Sequence, residues 1–258
     1  MSEKFLQSVD NALKILELFS GNIQELGVSD VGRSLGLGRS TAHRLLTTLE
    51  NRRFVEQNPA TGKYKLGMKI VNIGAGILGR LNIIKECHPC LEEVSNDTGE
   101  SAHLALYNQG EITFVDKVPG RNPAIMASMI GLQRPAYTTG TGKALLAFLP
   151  EPDLEKYVRT CQLNKFTTAT INDRYELKKQ LDQIREQGYS EDQQEMEEGL
   201  VCFAAPIRDR TGRVVAAMSV SGAASRMNMR REELVKKIKE AAEKASRNCG
   251  WSPDYEWK

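Results

Sequence analysis

The stretch LGRSTAHRLLTTLE, residues 37–50, constrains this chain more than any other. Ala42, Leu45, Leu46 and Leu49 recur at helical spacing, so one face of a helix is apolar and has to be buried. The other face carries Ser40, Thr41, His43, Arg44, Thr47 and Thr48, which are short hydrogen-bonding or basic side chains. A shorter amphipathic segment, VSDVGRSLG at 28–36, precedes it, with Val31 and Leu35 turned inward and Ser29 placed to cap. Two helices joined by a tight glycine-containing turn, the second polar in its N-terminal half, form a helix-turn-helix. A leading helix is expected over SVDNALKILELFS (8–20), with Val9, Ala12, Leu13, Leu16 and Phe19 on its buried stripe and Ser8 as its cap. RFVEQNPATGKYKLG (53–67) then reads as two short strands about a turn at NPATG, the hairpin wing of such a module.

The chemistry of the polar face suits double-stranded DNA. Short side chains let a helix enter a major groove about 12 Å wide. Arg39 and Arg44 are placed for phosphates or guanine edges, with Ser40, Thr41, His43 and Thr47 beside them. In the wing, Lys63, Tyr64 and Lys65 are expected to touch the DNA backbone or minor groove. Net charge agrees: residues 1–80 hold 11 Lys and Arg against 7 Asp and Glu, whereas residues 81–258 hold 24 against 26. One amphipathic helix alone would fit a small bundle with a solvated face better than a DNA-binding module. Three helices and a wing in this order favour DNA.

With 40% hydrophobic and 26% charged residues the chain reads as an ordinary globular protein. IVNIGAGILG (70–79) is its longest weakly polar run, short of the roughly 18 residues that span a bilayer. MSEKFLQSVD lacks an apolar signal core, so a cytoplasmic location is expected. Five scattered cysteines, Cys87, Cys90, Cys161, Cys202 and Cys249, fit a reducing compartment better than a disulfide framework.

After the wing, 68–81 reads as a connecting helix, and 82–100 resumes the helical pattern with Pro89 breaking or kinking it. SAHLALYNQGEITFVDKV then alternates around NQGE, a hairpin signature. TGKALLAFL is a short helix, 171–189 an amphipathic one ending at Gly188, and 199–222 a pair of apolar strands joined by RDRTGR. A final helix runs through NMRREELVKKIKEAAEKASRNCG. The fold class is therefore α+β with an antiparallel sheet, divided as 1–67 for DNA binding, 68–81 as linker and 82–258 as a second domain.

Three chemical temptations compete with a binding role. TTGTGKALL (138–146) resembles a phosphate loop, but the G-x-x-x-x-G-K-[ST] pattern would need glycine at Tyr137 and a hydroxyl at Ala144. CHPC (87–90) has no second Cys/His pair to complete a zinc site, and His43 and His103 stand alone in sequence, so no metal or other cofactor is expected. Cys202 with His103 as base and Asp192 as orienter is the enzymatic alternative, although a cysteine on an apolar strand is ordinarily packing. An RNA-binding module lacks the aromatic-rich sheet motifs it would need.

The opening SVDNALKILELFS, the helix LGRSTAHRLLTTLE, KYKLG, TGTGKALLA and the long run GYSEDQQEMEEGLVCFAAPIRDRTGRVVAAMSVSG together resemble the IclR family of bacterial transcriptional regulators over nearly the whole chain. The resemblance implies a winged helix-turn-helix, a linker helix and a GAF-like effector-binding domain. It also implies homodimers or tetramers on palindromic operators, and a repressor controlled by a small carboxylate. Its effector site falls on Gly140, Thr141, Asp192, Cys202, Ser219 and Ser221, with Met126 as an apolar wall. Family members that bind small keto acids often have alanine where Thr141 stands, and the extra hydroxyl suits a more hydroxylated ligand. The acidic EDQQEMEEGL segment is most similar to the branch regulating pectin and sugar-acid catabolism, which responds to 2-keto-3-deoxygluconate. Physically, Ser219 and Ser221 lie two apart on a strand and share a face, and Asp192 can accept hydrogen bonds from ligand hydroxyls.

Overall fold

Glycine makes the turn between the two helices of the helix-turn-helix. In a computed structural model, which describes residues 6–19, 23–78, 82–121 and 129–252, α1 spans Gln7–Glu17, α2 Val28–Leu35 and α3 Arg39–Asn51. Gly36 closes α2 in the left-handed region at φ 65°, where a Cβ would be strained, and three residues later α3 begins. β1 (Val55–Gln57) and β2 (Tyr64–Leu66) pair antiparallel as the wing, and α4 (Lys69–Leu78) follows. Ile15, Phe19, Val31, Ala42, Leu46, Leu49, Val55 and Tyr64 form the core of this unit, Met1–Leu81.

Three local expectations are corrected. Helix α1 buries Asn11 and Ile15, with Phe19 buried just beyond its end as expected, so its stripe is rotated, and Val9 and Leu13 are 52% and 55% exposed. Those two instead line an open groove of about 520 Å³ beside Leu45 and Phe54 of the same unit. Ser8 lies inside α1 and Ser29 inside α2; the cap of α2 is Gly27, whose amide donates to the Asp30 carboxylate at 3.0 Å. Of the two alternatives at Pro89, a break is overturned, because α5 (Asn82–Thr98) runs through it.

The second unit, Asn82–Lys258, is built on a six-stranded antiparallel sheet. Its strands are β3 (Ser101–Asn108), β4 (Glu111–Val118), β5 (Gln133–Pro135), β6 (Ser190–Gln193), β7 (Leu200–Arg208) and β8 (Val214–Ala223), ordered β5-β4-β3-β8-β7-β6. The helices after α5 are α6 (Gly140–Leu146), α7 (Glu151–Thr160), α8 (Arg174–Gln187), α9 (Ala224–Met229) and α10 (Arg231–Asn248). Helices cover both faces, which is why β7 and β8 read as almost unbroken apolar runs. Val201, Phe203 and Ala205 with Met218 and Val220 face α5 and α10, while Ala204 and Ala217 face α6 and α8. A bulge re-aims β4: Leu104 pairs with Asp116 but Ala105 with Phe114, so Val115 is the extra residue. Phe114 thereby faces the α6 layer and Asp116 the α5 layer. No helix among the described residues is long and apolar enough to cross a membrane.

Candidate DNA-binding face and effector pocket

The apolar residues of α3 hold its polar side out to solvent. Arg39, Ser40, Thr41, His43 and Arg44 are exposed, and Thr47 is half-buried. Arg39, Ser40, His43 and Thr47 lie along one side, whereas Thr41, Arg44 and Thr48 border the groove beside α1. Gly38 caps α3 without a side chain, which leaves the first-turn amides open to an anion. In the wing Lys63 and Lys65 are exposed, Lys65 lying 3.8 Å from Glu56. Tyr64 between them is only 1% exposed and packs in the core, so the expectation that it touches DNA is corrected. Alternation along β2 turns it inward, and its backbone exchanges hydrogen bonds of 2.8 and 2.9 Å with Leu26. Glu25, which sequence reasoning missed, braces the wing tip by accepting from Asn58 at 2.6 Å and Thr61 at 3.0 Å.

In the second unit the sheet register assembles a polar cluster. Asp192 on β6 pairs with Cys202 on β7, Cys202 with Ser221 on β8, and Ser221 with Ser101 on β3. The adjacent row on the same face runs Ser190, Ala204, Ser219, His103. Helix α6 lies over these rows. Ser190 Oγ donates to the Gly140 carbonyl at 2.6 Å, and the Thr139 hydroxyl accepts from the Gly142 amide at 3.0 Å. Proximity requires glycine at 142, where a Cβ would lie 2.1 Å from the Ala136 carbonyl oxygen, and makes 140 tight, where one would lie 3.0 Å from Cys202 Sγ. The glycine pattern that suggested a phosphate loop thus reflects packing, of Gly140 against β7 and of Gly142 against the turn that precedes α6.

Gly140, Thr141, Asp192, Cys202, Ser219 and Ser221 all line one cavity. Met126 lies outside the described residues. His103, Phe114, Arg134, Met196 and Leu200 also line it, and none of these was expected as a pocket residue. His103 had been weighed only as a catalytic base, and its ring packs 5.4 Å from Phe114 at a tilted angle. The cavity encloses about 20 Å³, room for a single water.

Electrostatics set what this cluster can do. Burial pushes the Asp192 carboxyl up to about 7, opposed by Lys143 and by the Glu195 and Met196 amides; the Glu195 amide donates to it at 2.7 Å. Near neutral pH Asp192 can therefore either give or take a hydrogen bond. Lys143, fully buried, is ion-paired with buried Glu195. Burial raises the Cys202 thiol to about 12 and lowers His103 to about 3. A neutral thiol and a histidine that does not accept a proton at pH 7, lining the same cavity, are no nucleophile–base pair. The CHPC segment also divides: Cys87 and Cys90 are core residues, while His88 Nδ1 turns to Asp116 Oδ2 at 2.7 Å.

A winged helix-turn-helix joined to a sheet-and-helix domain of this topology defines a DNA-binding regulator. The family pattern described as "IclR helix-turn-helix domain" matches residues 8–59, and "Bacterial transcriptional regulator IclR C-terminal" matches 75–247. The chain is 40% identical over 223 residues to the HTH-type transcriptional regulator XynR of Escherichia coli, covering 86% of this chain and 88% of that one. It is 32% identical to the E. coli HTH-type transcriptional regulator KdgR, over 98% and 97% of the two chains. The crystal structure of the Thermotoga maritima IclR superposes with a TM-score of 0.78 at 33% identity, over 96% of this chain and 100% of that one. The protein belongs to the IclR family, whose members regulate transcription and are not enzymes.

Proposed function

We propose that this DNA-binding regulator is a cytoplasmic repressor that releases its operator when a small carboxylate, a sugar acid or keto acid, enters the cavity beneath α6. The sheet register carries the reading: donors and acceptors from β3, β6, β7 and β8 converge on one buried spot that packing alone does not need. The carboxylate sits against Gly140 and Thr141. Asp192, Ser219 and Ser221 take the hydroxyl or keto oxygens, and Cys202 forms the floor. The Thr141 hydroxyl favours a sugar acid. In this reading the exposed side chains of Arg39, Ser40, Thr41, His43, Arg44, Lys63 and Lys65 meet the DNA, and the form without effector is the one that binds it. A homodimer or tetramer sets recognition helices of 1–67 in successive major grooves of a palindrome, with half-sites about 34 Å apart. The linker 68–81 carries the state of 82–258 to them. An organic acid is larger than a 20 Å³ cavity, so its entry parts the walls and favours a different arrangement, which is the differential affinity a switch needs.

A thermal-shift screen of keto acids, aldonates and uronates tests the pocket, because a bound ligand raises stability by mass action. Asp192→Asn and Ser219→Ala should each weaken or abolish the shift while leaving DNA binding of the apo protein intact. A hit whose shift survives in both variants moves the ligand elsewhere.

A further inference from the structure

Resting on that pocket reading, we propose that Arg134 is a specificity-determining residue that holds the effector's anionic group and makes the cavity select the acid over a neutral molecule of the same shape. Three observations converge on it. Arg134 pairs with Ile112 across β4 and β5, so its side chain shares the face that carries Ile112 and Phe114 toward α6, and it lines the cavity with Gly140 and Thr141. Among the described residues its buried Nε has no hydrogen-bond partner, and Nη1 donates only to the Gln133 carbonyl, at 3.2 Å, on the exposed side. No carboxylate among the described residues lies within ion-pair distance of it, whereas the nearby buried ammonium of Lys143 is committed to Glu195.

The charge balance of the cavity gives Arg134 its role. Asp192 adds acidity to the lining, and His103 stays neutral there. A carboxylate entering without a free cation would meet an environment that repels it. The guanidinium edge formed by Nε and one Nη matches the two oxygens of a carboxylate, so an acid resting on Gly140 and Thr141 can share its charge with that edge. Binding then satisfies a donor that is buried and idle in the free protein, which a neutral amide does less well.

The test compares acid and amide pairs, pyruvate with pyruvamide and gluconate with gluconamide, by calorimetry and thermal shift on the full-length protein. Wild type should bind the acid at least about tenfold more tightly than its amide, since charge-assisted hydrogen bonds are the stronger kind. Arg134→Gln should weaken acid binding by about 10- to 100-fold and leave amide binding nearly unchanged, erasing the preference. Arg134→Lys should fall between. Because Nε has no partner to lose, the ligand-free melting temperature of Arg134→Gln should match wild type; a marked drop would assign Arg134 a structural role instead. If Arg134→Gln binds acids like wild type while Asp192→Asn does not, the inference fails and the pocket stands. If no acid binds wild type, or Asp192→Asn has no effect either, pocket and inference fail together.

Discussion

His103 and Asp192 share a cavity and respond oppositely to pH. Asp192 titrates near 3.8 when unfolded and about 7 when folded, so the folded state holds the extra proton between those values. Its contribution to stability is therefore present below about 3.8 and lost as pH rises to about 7. His103 falls from 6.5 to about 3 on folding, so its contribution is present above 6.5 and lost as pH falls toward 3. The two slopes oppose each other across their common window. In urea titrations from pH 4 to 7, Asp192→Asn should gain stability with rising pH more steeply than wild type, and His103→Gln should lose it. Variants that both keep the wild-type profile would show that these two groups do not titrate as described. Half-exposed His88, raised by its bond to Asp116, adds a weaker loss of stability as pH rises past its ordinary 6.5. At this scale the serine pair was legible because period two fixes a shared face. Tyr64 was legible in principle by the same rule, since it alternates with two exposed lysines, but its aromatic ring between basic residues was read for its chemistry. Arg134 carried no signal, because only the fold shows that it lines a cavity and that its Nε is buried without a partner.

The proposed function divides the DNA contacts between recognition helix and wing. The N-terminal residues of a recognition helix meet base edges, and Arg39 is the first residue of α3. Arg44 borders the α1 groove and Lys63 stands exposed on the wing, and the proposed reading assigns both to the phosphate backbone. Arg39→Ala should therefore cost about 1–3 kcal/mol on the operator and little on random duplex. Lys63→Ala and Arg44→Ala should weaken both DNAs alike, each lowering the slope of log K against log salt by about 1. Anisotropy titrations at several salt concentrations separate the classes, and an Arg39→Ala loss that is equal on both DNAs would reassign Arg39 to phosphate. The long helices and the two hairpins were readable from periodicity and turn residues. Strands β5 and β6, of 3 and 4 residues, are too short to alternate visibly, and β6 reads as the acidic loop SEDQ. Yet β5 positions Arg134 and β6 positions Asp192. The rotation of α1 was illegible because its apolar residues outnumber the positions its packed face can bury, and only contact with the rest of the unit selects Ile15 and Phe19 over Val9 and Leu13.

For the whole molecule, the uneven charge of the sequence matches the division of labour: a basic N-terminal third for DNA and a near-neutral remainder that encloses the pocket. Composition and order of elements revealed that division, whereas the cavity needed strands far apart in sequence to be laid side by side. The central claim is that occupancy of the cavity and possession of DNA oppose each other. Linkage makes the claim reciprocal, because an acid that lowers DNA affinity by some factor must itself be bound less tightly by the same factor when DNA is present. The direct measurement is the affinity for an operator, selected from random duplexes, with and without a saturating acid from the thermal-shift screen, in wild type and Asp192→Asn. The account predicts DNA binding weakened by about 5- to 150-fold in wild type and unchanged in the variant. An acid whose binding depends on Asp192 but leaves operator affinity unaltered would contradict it.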